Sequence, residues 1–318
     1  MARNKKTSGS LFTFMNFLIA LLLKNGQYRT MQHYKATLNS YKRYRKDKDI
    51  TFKEIDAKEM QSYEAYLKNV AKVCNNTSSF YLRILRATYN KAVEKGYATQ
   101  QNPFKDVYTG IAKTNKRAIP TESVSSIKRL DSTIVLTPKQ ELARDTFMMC
   151  FYLRGISFID LAHLRKSDLK DGFISYTRSK TGQRISIRWE KDMQDIVDKY
   201  QTQTADSTYL FPFLTSGTNS KNVTLQDKGQ DELRLYHNAE SRITYHLKKL
   251  GAKMGINGKL TLYVARHSWA TTARDKNISI SIISEALGHN SETTTQIYLR
   301  SIQSSEVDDA NAEILASI

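Results

Sequence analysis

The sequence predicts a mainly α-helical protein of two domains, with one small β element in the second. Apolar residues recur at helical spacing through most of the chain, and strict alternation appears only between Phe173 and Trp189. Positive charge is crowded at one end: residues 1–117 carry 23 Lys/Arg against 8 Asp/Glu, whereas residues 118–318 carry 26 against 23. At 318 residues, 40% of them hydrophobic, the chain can bury two cores without disulfide or metal staples. Four Pro and 13 Gly exclude collagen-like and low-complexity classes. Two cysteines, Cys74 and Cys150, exclude a disulfide framework or a thiolate zinc site and fit a reducing, cytoplasmic setting.

The first element is an apolar run from Phe14 to Leu23 behind Arg3, Lys5 and Lys6. It is too short for a membrane span, contains Asn16, has no small-residue cleavage site after it and closes on Lys24-Asn25-Gly26, so it reads as a buried helix rather than a signal peptide. Helices follow over Tyr28 to Tyr44 and Thr77 to Lys95, the latter with Tyr81, Ile84, Thr88 and Ala92 as its apolar stripe and Gly96 as its stop. Arg83 and Arg86 lie off that stripe, and Lys42, Arg43 and Arg45 close the earlier helix. These five cations, interleaved with Tyr34, Tyr41, Tyr44, Tyr81 and Tyr89, suit phosphate contact and close approach to a nucleic acid. For any one of them a solvated helix face is the plainer reading; the surplus over the whole segment is what points to a polyanion.

Residues 1–112 therefore form a helical domain and 113–120 a linker, polar and basic, with Pro120 disfavouring helix just before it. The second domain, 121–303, is mainly helical, with Pro138 near the start of a helix through Phe147 and Cys150. Its β element is a hairpin: Ile174, Tyr176, Arg178 and Lys180 alternate onto one side, Thr181-Gly182-Gln183 turns, and Ile185, Ile187 and Trp189 return. Arg178 and Lys180 are thus expected to point the same way. Further on, Tyr263-Val264-Ala265-Arg266-His267 opens a helix, and Ile280, Ile283 and Leu287 form the stripe of another, stopped by Gly288. Ser291 N-caps a third, which carries Tyr298 about two turns in, so that Arg266, His289 and Tyr298 can face one cleft. Residues 304–318, with Val307, Ala310, Ile314 and Ile318 on one face, form a tail helix. No metal site is expected: His163, His237 and His246 lack ligand spacing, and Asp160 and Asp168, eight apart without an acidic cluster, read as helix caps or partners of Arg165.

Arg266-His267, Leu287-Gly288-His289 and Tyr298, nine positions after that histidine, resemble the C-terminal signature of tyrosine recombinases. Arg154-Gly155-Ile156-Ser157-Phe158-Ile159-Asp160 and Tyr263-Val264-Ala265-Arg266-His267-Ser268-Trp269 are similar in detail to integrases of Bacteroidetes mobile elements. The resemblance implies a helical core-binding, SAM-like domain at about residues 10–110 and a mixed α/β catalytic domain from about 118. It implies strand exchange through a 3′-phosphotyrosyl link on Tyr298, with Lys180 as the hairpin lysine that protonates the departing 5′-oxygen. It also implies no cofactor, no membrane, and double-stranded DNA with inverted-repeat core sites as partner, engaged by a homotetramer on two duplexes that associates weakly without DNA, in a bacterial cytoplasm.

The chemistry makes definite demands. A phenol of pKa about 10 is only ~0.1% ionised at pH 7, so Tyr298 needs a proton acceptor or a cationic surrounding. Arg266 can set two parallel donors on the phosphate oxygens, and His289 adds a neutral or charged donor. Two positions depart from the family pattern. Ser157 stands where a first catalytic arginine is usual and supplies no cation; Arg178, on the strand face of Lys180, is the preferred substitute and Arg154 the other. Tyr263 stands where His or Lys is usual and can hydrogen-bond a phosphate but carries protons poorly. His267, about 100° from Arg266 around a helix, reads as structural. The missing cation keeps open an impaired DNA-binding regulator on the same scaffold, and charge alone keeps open an RNA-binding protein.

Overall fold

The computed structural model describes residues 9–112, 118–131, 133–214 and 225–299. The expected tail helix at 304–318 and most of the expected linker, residues 113–117, lie outside them. The chain divides into two compact units: the N-terminal helices together with the start of the long helix at 225–253, and the rest from residue 114 onward.

The first unit contains α1 (Leu11–Lys24), α2 (Tyr28–Arg45), α3 (Ala57–Asn69) and α4 (Asn75–Glu94). Helix α1 stops at Asn25 and Gly26, as the sequence indicates. It buries only the side bearing Leu11, Phe12, Phe14, Met15 and Leu18, leaving Phe17 52% exposed. Asp56 caps α3 by accepting from the Glu59 amide at 2.7 Å. On α4 the buried stripe is Leu82, Leu85, Thr88, Tyr89 and Ala92: Thr88 and Ala92 are buried as expected, whereas Tyr81 and Ile84 lie at its half-buried margin.

Of the five tyrosines read as suited to nucleic-acid approach, Tyr34, Tyr41 and Tyr89 are core residues, which corrects that reading for them, and Tyr44 and Tyr81 are half-buried. Tyr41, Tyr63 and Tyr89 are fully buried, with Tyr41 edge-on to Tyr63 at 4.8 Å between centroids. Each phenol is satisfied inside the unit: Tyr41 donates to Glu59 Oε1 at 2.7 Å, Tyr63 to Ser40 Oγ at 2.8 Å and Tyr89 to the Thr99 carbonyl at 2.7 Å. A tyrosine packs as much apolar area as a phenylalanine once its hydroxyl has a partner, and these do.

The second unit is built around α6 (Pro138–Tyr152), which has α5 (Thr121–Arg129), α8 (Lys191–Lys199) and α10 (Leu262–Asp275) packed on it. Thr137 and Gln140 form a reciprocal capping box ahead of α6, with Pro138 at its first position. After the short α7 (Phe158–Ala162) come β1 (Leu169–Lys170), β2 (Phe173–Thr177) and β3 (Arg184–Arg188), an antiparallel sheet in the order β1-β2-β3. Ile174 pairs with Ile187 and Tyr176 with Ile185, which puts Ile174, Ile185 and Ile187 together on the buried face. The two-residue β1 gave no alternation signal. The long α9 (Leu225–Lys253) precedes α10, and α11 (Ile280–Ala286) and α12 (Glu292–Leu299) complete the described chain. Ile283, Leu287 and Leu299 form a separate small core with Ala270 and Ala273 of α10, and it seats α12 against α10 and α11. Ile280, expected in that stripe, is exposed.

Candidate active site

Arg266 sits on the second turn of α10 and is 5% exposed. Its guanidinium donates to the Gly155 carbonyl at 2.7 Å and the Leu287 carbonyl at 2.6 Å, and a terminal nitrogen meets His289 Nε2 at 3.0 Å. So close an approach is possible because residue 155 is glycine. Its φ is +73°, and a Cβ there would lie 2.6 Å from Arg266 Cγ and 2.8 Å from Arg266 Cα. The sharp chain reversal after α6 thus doubles as the seat of the arginine.

Arg178 follows β2 and is 8% exposed; its guanidinium donates to the Gly288 carbonyl. Gly288, at φ +63°, is the left-handed stop of α11, where its amide bonds to the Glu285 carbonyl and that of His289 to the Ser284 carbonyl. A Cβ on Gly288 would come 2.9 Å from Ile185 Cδ1 and 3.0 Å from Arg178 Cδ. Both arginines therefore grip carbonyls just past the C-terminus of α11, where backbone partial charge is negative.

His289 joins them. Arg266 has only donors, so Nε2 accepts from it and Nδ1 carries the ring proton, donated to Thr295 Oγ1 at 2.8 Å. Burial and the surrounding Arg266, Arg178 and Lys180 lower the imidazole's pKa to about 4, so it is neutral. Thr295 is fully buried on α12, one turn before Tyr298. Tyr298 lies within α12, and its side chain lies outside the described residues.

Lys180 reaches this group by a different route from the one expected. The strand ends at Thr177, the Arg178 amide bonds to the Gln183 carbonyl at 2.8 Å, and residues 179–182 form the tip. Lys180 is therefore an exposed turn residue, not a strand residue on the face of Arg178, although its charge acts on His289. The tip is fixed by a residue the sequence did not single out for this. Buried Asp160 accepts from the Ser179 amide at 2.9 Å and the Ser179 hydroxyl at 2.6 Å with Oδ1, and from Ser157 Oγ at 2.5 Å with Oδ2. It neither pairs with Arg165 nor serves only as a cap; it holds the residue between Arg178 and Lys180. Ser157, in the slot of the missing cation, supports that carboxylate. Asp168 behaves as a cap, accepting from the Arg165 amide at 2.8 Å.

Arg154 is half-buried and lies in the left-handed region at φ +55°, past the end of α6. Tyr263 is 57% exposed; its ring stands edge-on to His267, 4.5 Å between centroids, and His267 is buried. In the first unit, Arg43 and Arg86 are exposed, the latter donating to Thr109 Oγ1 at 2.8 Å. Lys42 lies over the Phe12 ring, Arg45 pairs with Glu59 at 3.4 Å, and Arg83 is half-buried. Among the described residues no group of three or more His, Cys, Asp or Glu is placed to hold a metal ion, and no helix is long and apolar enough to cross a membrane.

Sequence reasoning missed Thr295, and it missed the part Asp160 plays at the hairpin tip. Thr295 is one of three consecutive threonines, and the only available signal was its place one turn before Tyr298. Asp160 and Ser179 are 19 positions apart, and nothing local joins them.

Residues 10–111 match the phage integrase SAM-like domain and residues 125–304 the phage integrase family. The chain is 29% identical to tyrosine recombinase XerA of Pyrococcus furiosus over 60% of its own length and 59% of that protein's. It is 24% identical to tyrosine recombinase XerC of Leptospira interrogans, over 90% of this chain and 86% of that one. A crystal structure of the XerH site-specific recombinase, bound to palindromic difH substrate in a post-cleavage complex, shares its fold at a TM-score of 0.66 and 14% identity, covering 89% of this chain and 79% of that one. By its catalytic fold, its N-terminal helical domain and its matched sequence, the chain belongs to the phage integrase family, the tyrosine recombinases.

Proposed function

We propose that the chain cuts and rejoins DNA strands at specific sites, with Tyr298 as nucleophile and Arg266, Arg178, His289 and Lys180 as the groups that act on the phosphate. One observation carries the reading: two buried arginines and a neutral histidine converge on Leu287-Gly288-His289, and α12, which bears Tyr298, is hydrogen-bonded to that histidine.

In the forward step the Tyr298 oxygen forms a bond to phosphorus and the bond from phosphorus to the 5′-oxygen breaks. The phenol's proton leaves to a base, and the 5′-oxygen takes one from the Lys180 ammonium. In this reading His289 Nε2, an acceptor in this structure, serves as that base. Arg266 and Arg178 exchange carbonyl oxygens for the phosphate's non-bridging oxygens, where charge builds in the transition state; each such donor is worth about 2.7–4 kcal/mol in comparable sites. The negative phosphate among these cations also relieves the repulsion that depresses the His289 pKa. Bond energy stays in the phosphotyrosyl link, so a 5′-hydroxyl reverses the reaction without a cofactor.

The exposed cations Arg43 and Arg86, the partly covered Lys42, Arg45 and Arg83, and the surplus of residues 1–117 act on the duplex backbone in this reading. Duplex DNA is the partner, which the difH complex of XerH supports. Inverted-repeat core sites, and a tetramer on two duplexes that associates weakly without DNA, are the arrangement expected of it. Tyr263, exposed one turn before Arg266, adds a hydroxyl toward the DNA. Ser157 favours a second reading, a DNA-binding regulator without cleavage; the buried seat of Arg178 supports the first. Incubation with a nicked suicide duplex tests it. The wild-type chain forms a covalent adduct, and Tyr298→Phe binds the duplex but forms none. Undiminished adduct in the variant removes Tyr298 from the role, and binding without adduct in the wild type supports the regulator.

A further inference from the structure

We infer that Thr295 is a positioning residue that makes the orientation of His289 depend on the seating of the nucleophile's helix. The inference rests on the recombinase reading for its consequence, though not for its geometry. Thr295 is fully buried, and its hydroxyl meets His289 Nδ1 at 2.8 Å while Nε2 faces Arg266 at 3.0 Å. One ring nitrogen is thus spent on α12 and the other is turned toward the site. His289 itself follows the left-handed Gly288, outside any helix, so its backbone alone does not fix the ring.

A hydroxyl suits this post for a chemical reason. It accepts from Nδ1–H in the neutral ring, bare at Nε2, and still accepts it in the imidazolium that forms when Nε2 takes a proton. The ring therefore keeps its pose while Nε2 works as a base. Leu299, one turn further, is buried against Ile283 and Leu287 of the small core, so Thr295 and Leu299 dock α12 together. If α12 withdraws, the Thr295 bond is lost, and the base is disordered whenever the nucleophile is absent. Premature chemistry by water at a half-assembled site is suppressed in the same movement.

The experiment pairs a spectroscopic readout with a kinetic one. In the histidine-labelled full-length chain without DNA, nitrogen NMR, with the signal assigned by its loss in His289→Gln, shows His289 at neutral pH in the Nδ1–H tautomer. Thr295→Val removes the hydrogen bond at Nδ1, so that nitrogen's signal shifts and broadens, and Thr295→Ser keeps the wild-type signal. On a nicked suicide duplex at saturating protein, Thr295→Val forms adduct about 10–100-fold more slowly, the range for loss of an imidazole's orienting partner, and Thr295→Ser stays within about threefold. An Nε2–H tautomer in the wild type, or a folded Thr295→Val that cleaves at the wild-type rate, overturns the inference. Should Thr295→Val fail to fold, the wild-type tautomer and Thr295→Ser still decide it. Adduct formation by Tyr298→Phe would instead overturn the recombinase reading and leave the tautomer result standing.

Discussion

The cations of the two units are held in opposite ways. Arg43 and Arg86 in the first unit are exposed, amid a surplus of 15 positive charges over residues 1–117. Arg266 and Arg178 in the second are almost wholly buried, in a region whose surplus is only three, and each is seated against a left-handed glycine and tied to main-chain carbonyls. Surface charge of the first kind attracts a polyanion over roughly a Debye length and fades with salt. Fixed charge of the second kind contributes little to attraction, but it needs little reorganisation when charge develops on a bound phosphate. Counting arginines finds the first kind and says nothing about the second.

The sharpest break in this contrast is Arg266→Ala. Cleavage of a suicide duplex in single turnover falls about 100–1,000-fold, the cost of one preorganised donor, while duplex affinity changes far less. Equal losses in binding and cleavage would put Arg266 among the merely attractive charges. Next comes Arg178→Ala, with a loss of about 100-fold in cleavage and little in binding, set against Arg154→Ala, which leaves cleavage nearly intact and is felt in the thermal midpoint. The reverse pattern would make Arg154 the substitute for the cation missing at Ser157.

A smaller effect belongs to the first unit. Replacing Arg43 and Arg86 together with Ala weakens duplex binding uniformly across sequences and flattens the salt dependence of log K by about 0.9 for every phosphate that is no longer neutralised. The cleavage rate of the saturated complex stays the same. An unaltered salt slope would take both residues off the DNA.

The smallest effect is on stability. Folding holds the His289 pKa at about 4, below the 6.5 of an unconstrained imidazole, so the unfolded chain binds this proton more tightly. The stability linked to His289 is complete above about pH 6.5 and is lost as pH falls toward 4. In urea titrations without DNA, His289→Gln has a shallower decline than the wild type across that window. Parallel curves would mean that His289 is not held neutral.

How much of this was legible in the sequence depends on distance along the chain. Helices α2, α4 and α6 and the hairpin announce themselves through periodicity, caps and a turn, all of which are local. Arg266 and His289 were legible because a left-handed glycine stop and two short helices fix them within about 30 residues. Arg178 was found for a reason that holds only in part: alternation carries it to the end of β2, but the tip bends before Lys180, and the buried Asp160–Ser179 bonds set that bend. Tyr34, Tyr41 and Tyr89 misled because a tyrosine suits a core as well as a surface, and the choice rests on partners such as Glu59 and Thr99 contributed by other segments. Thr295 was indistinguishable from Thr293 and Thr294 until packing buried one of the three.

The central claim is that Arg266 and Arg178 are the two guanidinium groups that hold one phosphate for Tyr298. A crystal structure of the Tyr298→Phe chain on its cognate duplex tests it most directly. The account predicts both guanidinium groups within about 3 Å of non-bridging oxygens of a single phosphate, released from the Leu287 and Gly288 carbonyls, with residue 298 in line opposite the 5′-oxygen. Arg178 still on the Gly288 carbonyl, with Arg154 or no second arginine on that phosphate, would contradict it.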